Sequence, residues 1–259
     1  MHINKTTLDK HLTKLENDGF TIIPNVLQQD VVLTLRAELQ HAMEEDLKLY
    51  PDVFDKGMVH NCMIRGKTLA SLLDNKIINY FFRKMVSKTC ILYAYQSSSL
   101  PPQGTNYSSR IHVDCPRFIP NYTTNVGALV ALDDFTLDNG ATYFLPGSHK
   151  SSEVPSEDYF MKYAVSALCK AGSLMIFNSR TWHRGGTNNT SSFRHGLTLG
   201  ACHSYMRQRF DFPRLMTQEQ ISFLGEDGKR LIGMNVRMPT SLDEFYLPEE
   251  KRLYKSNQG

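Results

Sequence analysis

Cysteine is scarce and scattered. The five residues, Cys62, Cys90, Cys115, Cys169 and Cys202, are odd in number and contain no CxxC pair. That disfavours a disulfide framework or a structural zinc knot, both of which need thiols paired at regular spacing. No apolar run approaches the ~18 residues of a membrane span, and the opening MHINKTTLDKHL has no apolar signal core. A reducing, cytoplasmic location is expected. Charge of one sign is also lacking. The formal net charge is +3, with acidic and basic residues interspersed, so no nucleic-acid surface is implied. Arg207, Arg209 and Arg214 are too few to make a backbone-binding stripe. Internal repeats and low-complexity tracts are absent.

What is present suits a folded globular chain. With 259 residues and 41% hydrophobic side chains a sizeable core is available, and residues 1–259 read as one domain without a boundary. Residues 7–18 predict a short helix, followed by a brief strand from Phe20 to Ile23 that Pro24 stops. Val31, Leu35, Leu39 and Met43 recur every four residues, with Val32 and Ala42 widening the stripe, which predicts an amphipathic helix over Gln28 to Leu49. A second helical stretch runs from Thr68 to Ser87. Strands are expected at Cys90–Gln96, Val126–Leu132, Ala141–Leu145, Ser173–Phe177 and Gly196–Cys202. Asn139-Gly140 is a tight-turn signal between two of them. Residues 157–168 suggest a small helical excursion, and one more helix is expected after about Thr217. Helices first and antiparallel strands after predict an α+β fold with a mostly β core, a jelly-roll barrel carrying the N-terminal helices on one sheet.

Three residues stand out chemically. In His112-Val113-Asp114 the two polar side chains point the same way if the segment is extended, because strand side chains alternate. His183, in Asn178-Ser-Arg-Thr-Trp-His183, supplies a third donor beyond the apolar strand Ser173–Phe177. Two imidazoles and one carboxylate suit iron(II) and leave about three open positions on one face, whereas zinc more often takes four ligands, or three plus water. His60, His149, His195 and His203 are rivals for the third place, with His149 expected in a loop and His195 and His203 at the ends of a strand.

Arg194 lies eleven residues after His183. A metal with open sites needs a reductant to split dioxygen, and a 2-oxo acid serves by chelating the metal while its remote carboxylate rests on a cation. Arginine's planar fork suits that carboxylate. Gln96, Thr142 and Ser179 are candidates to help hold the acid.

At these residues the sequence resembles the phytanoyl-CoA dioxygenase family of iron(II)- and 2-oxoglutarate-dependent oxygenases. The matching pieces are His112-Val-Asp114, the run Asp138-Asn-Gly-Ala-Thr-Tyr-Phe-Leu-Pro-Gly-Ser-His149, Gly172-Ser-Leu-Met-Ile-Phe177, and Trp182-His183, Asn188 and Arg194. They span roughly residues 12–205. The resemblance implies a double-stranded β-helix, a cupin-like barrel of eight main strands in two sheets. It implies iron(II) on His112, Asp114 and His183, the distal carboxylate of 2-oxoglutarate on Arg194, and dioxygen as the second co-substrate. Halogenating relatives replace the metal-binding acid with a small residue; Asp114 is present here, which favours hydroxylation or another oxidation.

The prime substrate is less constrained. Tyr107, Arg117, Phe118 and Trp182 flank the metal motifs and are candidate pocket residues, and Arg207 or Arg209 could receive an acidic group. The stretch Gln103–Ser109 is a candidate lid. No basic cluster suggests coenzyme A phosphates, so a free small molecule, an amino acid derivative or a biosynthetic intermediate, is expected. Desaturation, cyclisation or epimerisation with the same cofactors is the first alternative. A zinc- or manganese-dependent isomerase or hydrolase, and a non-catalytic binding barrel, are the others. A monomer or a homodimer fits, no coiled-coil seam being visible.

Overall fold

The computed structural model describes residues 3–53, 55 and 57–258. The first helix, α1 (Lys5–Asp18), starts where the Asn4 side chain accepts from Thr7 N at 2.9 Å. It ends at Gly19, whose φ of 82° lets its N–H turn back to Leu15 O. Strand β1 (Phe20–Ile23) follows, then the long helix α2 (Gln29–Leu49), whose stripe Val32, Leu35, Leu39, Ala42 and Met43 is buried as the periodicity predicts.

The helical stretch expected from Thr68 to Ser87 is broken into α3 (Lys67–Ser71), a single 3-10 turn and α4 (Lys76–Met85). Asn75 causes the break. Its side-chain oxygen accepts from the N–H groups of Ile77 and Ile78, which caps a new helix rather than continuing the old one. Strands β2 (Ile91–Ser97), β3 (Asn125–Ala131) and β4 (Tyr143–Phe144) lead to α5 (Glu157–Tyr163). That helix stops at extended Ala164, so residues 165–166 form strand β5 (Val165–Ser166) and not the end of the expected excursion. Strands β6 (Leu174–Asn178), β7 (His183–Arg184) and β8 (Gly196–Cys202) complete the set. A short helix α6 (Phe212–Leu215) follows, and beyond Thr217 three more stand where one was expected: α7 (Gln218–Ser222), α8 (Glu226–Leu231) and α9 (Leu242–Phe245).

The strands form two antiparallel sheets, β1-β6-β3-β8-β2 and β5-β4-β7. The predicted β-helix barrel is not what they build. Among the described residues neither sheet closes on itself, and pairing outside the sheets is confined to isolated bridges such as His60↔Gln96, Leu100↔Arg194 and His112↔His183. The reason is length. Each strand of the smaller sheet has two residues, too few to carry a hydrogen-bonded ladder round a corner. The α+β class and the helical layer on one sheet do hold.

Alternation along the central strand β3 separates two cores. Val126, Ala128 and Val130 share one face of the sheet with Leu174, Ile176, Leu197 and Leu199 under the helices, while Leu129 and Ala131 share the opposite face with Met175 and Phe177. All seven β3 residues are buried. On that opposite side Phe144 of the smaller sheet stacks on Phe20 at 4.7 Å and meets Phe177 at 5.3 Å. Each such aromatic contact adds ~1 kcal/mol beyond area burial, and together they pin the smaller sheet to the larger.

Candidate metal centre

His112 and His183 sit directly opposite each other and exchange both backbone hydrogen bonds, each N–H reaching the partner carbonyl at 2.9 Å. The rings are therefore held side by side, with centroids 4.2 Å apart. Each ring is also held by its Nδ1. That of His112 donates to the Arg110 carbonyl at 2.8 Å and that of His183 to the Thr181 carbonyl at 2.9 Å. A carbonyl only accepts, so both rings carry the proton on Nδ1 and both Nε2 lone pairs are free.

Asp114 completes the group, its Oδ1 lying 3.7 Å from both Nε2 atoms, and the three donor atoms all fall within 4.8 Å of one another. Cys115 N donates to Ser179 O at 3.0 Å and Ser179 N to Asn125 O at 3.1 Å, which ties the segment after Asp114 to the end of β6 and the start of β3. Metal bonds of ~2.1 Å at right angles place ligands ~3 Å apart. The exposed Asp114 side chain has room to turn toward the two rings. Phe144 and Phe177 wall the buried His183, with ring centroids 5.6 and 5.2 Å from it. Burial, helped by the neighbouring His183 ring, lowers the pKa of His112 to about 4, so that imidazole is neutral near pH 7.

Arg194 enters from the residues just before β8, paired through its backbone with Leu100. Its side chain is 2% exposed, its guanidinium lies 4.0 Å from the centre of the Phe135 ring, and its Nε and Nη1 have no partner. The Asp133 carboxylate is turned to Arg36 at 2.6 Å and to the His195 backbone N at 2.7 Å. Burial pulls the Arg194 pKa down to about 9, which still leaves a cation at neutral pH. A buried guanidinium with unmet N–H groups is a receptor for a carboxylate. The donor set and this orphaned cation together fit iron(II) and a dicarboxylate chelator.

One cavity of about 550 Å³ joins these groups. His112, Asp114, His183, Arg194, Gln96, Thr142, Ser179 and Tyr107 all line it. The other expected pocket residues lie elsewhere. Arg117 and Arg207 are exposed outside the cavity. Phe118 packs against the Arg180 guanidinium at 5.6 Å, and Trp182 is held through its backbone N by Ser148 Oγ at 2.9 Å. His149 contacts the Glu16 carbonyl, His195 faces Ser99 and Gln40, and His203 contacts the Thr123 carbonyl. His60 pairs with Asp55 at the cavity wall.

Several lining residues were not foreseen. Thr198 lies four positions past Arg194, and strand alternation could have placed both on one face. Asn125, whose buried Oδ1 lacks a partner, stands at the start of β3. Arg110 lies in the segment that leads from Tyr107 into the metal motif, whereas Asp55 and Tyr93 belong to segments whose patterns gave no such signal.

The sequence profile of the phytanoyl-CoA dioxygenase family matches residues 15–196. The chain is 29% identical over 266 residues to the uncharacterized protein Mb1539 of Mycobacterium bovis, covering 99% of this chain and 97% of that one. Dioxygenase trt7 of Aspergillus terreus is 28% identical over 205 residues, covering 71% of this chain and 70% of the other. Among solved structures, the epimerase SnoN in complex with Fe3+, alpha ketoglutarate and nogalamycin RO superposes with a TM-score of 0.61 at 20% identity, covering 77% of this chain and 84% of that one. At that identity the likeness is one of fold.

Proposed function

This chain belongs to the phytanoyl-CoA dioxygenase family, and from that premise we propose that it hydroxylates an unactivated C–H bond of a small organic molecule, working as one domain over residues 1–259 in the cytoplasm. In this reading His112, Asp114 and His183 hold iron(II), and Arg194 grips the far carboxylate of 2-oxoglutarate. The observation that carries it is the meeting of a two-histidine, one-carboxylate cluster and an unpaired buried guanidinium in one cavity. The likeness to a fungal dioxygenase supports dioxygen as oxidant. Bound together, the metal, 2-oxoglutarate and dioxygen supply the oxidising power, and the co-substrate leaves as succinate and carbon dioxide.

The chain's own part is positional and electrostatic. The two imidazoles and the carboxylate would occupy one side of the metal and leave the cavity side open. Thr142 and Ser179, both buried and lining the cavity, offer hydroxyls to the co-substrate. Gln96 is less free, because its oxygen accepts from Arg209 and its nitrogen donates to Tyr107, each at 2.9 Å. Leu129, Phe144 and Phe177 make an apolar wall that keeps water from the reacting centre.

Anaerobic addition of iron(II) and 2-oxoglutarate tests the cofactor reading. A weak visible charge-transfer band is expected from the wild type, and its absence would defeat the proposal in favour of a non-oxidative metal enzyme. Under oxygen, succinate release with a product heavier by one oxygen marks hydroxylation. Loss of two hydrogens marks desaturation or ring closure, and an isomeric product of unchanged mass marks epimerisation.

A further inference from the structure

The cavity runs from buried Arg194 to an exposed end where Tyr107, Arg110 and Arg209 line it. There three side chains form a directed hydrogen-bond chain. Arg209 Nη1 donates to Gln96 Oε1 at 2.9 Å, and Gln96 Nε2 donates to the Tyr107 hydroxyl oxygen at 2.9 Å. The direction is forced. A guanidinium only donates, so the amide must turn its oxygen to Arg209 and its nitrogen to the phenol. Having accepted there, the Tyr107 oxygen points its own O–H elsewhere, and no acceptor for it occurs among the described residues. Burial raises the pKa of this phenol, which keeps the proton in place as a donor. The Arg209 backbone N donates to Tyr93 O at 2.9 Å and anchors that residue beside β2.

Donors therefore dominate this end. Besides the Tyr107 O–H and the remaining Arg209 N–H groups, the cavity is lined by Arg110, whose side chain makes no hydrogen bond or ion pair among the described residues. The acids that share the cavity are committed: Asp114 stands with the two histidines and Asp55 pairs with His60. Among the described residues no further carboxylate lines the cavity to neutralise the arginines. We infer that the exposed end of the cavity binds a carboxylate on the prime substrate, with Arg209 and Tyr107 as its ligands and Gln96 as the residue that positions both. This names a substrate class within the proposed oxygenase reading and rests on it.

The test uses the full chain under nitrogen, loaded with iron(II) and 2-oxoglutarate. It is titrated with a panel of aliphatic, aromatic and N-acyl amino acids, each paired with its methyl ester. Binding is read by calorimetry and by perturbation of the visible band. At least one acid is expected to bind, with its ester about 10-fold weaker or more. Arg209→Gln is expected to weaken the acid about 10- to 100-fold while the uncharged ester changes by less than about 2-fold. Tyr107→Phe should produce a smaller loss of acid binding, and Gln96→Leu should weaken the acid without touching it directly. Esters that bind as well as acids, an Arg209→Gln protein with wild-type acid affinity, or a panel in which no acid binds would each overturn the inference. A wild type that shows no visible band defeats the iron and co-substrate reading instead; calorimetry of the acids on the metal-free chain then still decides the carboxylate subsite.

Discussion

Replacing Arg194 with methionine should stabilise the protein while sharply weakening its hold on 2-oxoglutarate. The guanidinium is 2% exposed, and two of its nitrogens have no partner. Burial lowers its pKa from 12.5 to about 9. At ~1.4 kcal/mol per pK unit that fall sets the cost of burying the cation at about 5 kcal/mol as an upper bound. Stacking on Phe135 returns ~1 kcal/mol, and an apolar replacement of a buried charge typically gains ~1–4 kcal/mol. A gain of about 2 kcal/mol is expected, raising the Tm of the co-substrate-free protein by about 4–8 °C for a chain of this size. The ligand response should move the other way. Wild type in co-substrate at 100 times its Kd gains about 2.7 kcal/mol. Deleting one partner of a buried charge pair costs ~2–5 kcal/mol, so the variant's Kd should rise by about 30-fold to more than 1,000-fold. Thermal melts of both proteins under nitrogen with metal, across a 2-oxoglutarate series, measure the two effects together. A variant that melts lower without co-substrate yet keeps its 2-oxoglutarate shift would refute both the buried-charge argument and the assigned role.

The other predictions are more local. Asp114→Ala should change stability by no more than the ~0.5 kcal/mol typical of an exposed site yet remove bound iron, as read by metal content after desalting; retained stoichiometric iron would remove Asp114 from the ligand set. His195 is held neutral by burial, its pKa lowered to about 4, so between about pH 6.5 and pH 4 the unfolded chain takes up a proton that the folded chain refuses. Stability should therefore fall with acid across that window by about 1.4 kcal/mol per pH unit for this one proton, and urea melts of His195→Asn should show a shallower slope. At Gly127 an added methyl would strike the Phe177 ring, which packs 5.2 Å from His183. Gly127→Ala should cost ~1–3 kcal/mol through overpacking and also weaken iron binding; a loss of stability with wild-type metal affinity would show that the Phe177 wall does not set the ligand's orientation.

The parts of the molecule that were legible in the sequence are those with a period or a fixed chemical spacing. The α2 stripe, strands β3, β6 and β8, and the set His112, Asp114, His183 and Arg194 were all visible as pattern. The barrel was misread because β4, β5 and β7 have two residues each, and so short a strand carries no alternation to count. Asn75 shows the same limit in helices: the apolar period runs on through Leu72, Leu73, Ile77 and Ile78 while a side-chain cap breaks the backbone. Arg207 and Arg209 are indistinguishable as pocket candidates in the sequence, because nothing in the irregular segment after β8 says which side chain turns inward. That choice is made by the Arg209 backbone contact with Tyr93, a tertiary contact between residues 116 positions apart.

The His112–His183 bridge explains how an open pair of sheets can still hold a metal ligand set. In a closed barrel the register of every strand is fixed by its neighbours all the way round; here the register that matters depends on one pair of residues. Side chains alternate with a period of two, so a slip of one residue in this bridge would send one imidazole to the far side of its strand and dissolve the cluster. Two backbone hydrogen bonds of 2.9 Å oppose that slip, the Nδ1 contacts to Arg110 and Thr181 fix each ring about its own axis, and Phe144 and Phe177 close the space into which His183 could rotate. Asp114 needs less support, because it follows His112 by two residues and Cys115 ties the next peptide to Ser179. The geometry thus rests on a short stretch of paired backbone and a few aromatic contacts. For that reason disturbing the aromatic wall, as Gly127→Ala does, should reach the metal, whereas substitutions in the exposed carboxy-terminal helix α9 should leave it alone.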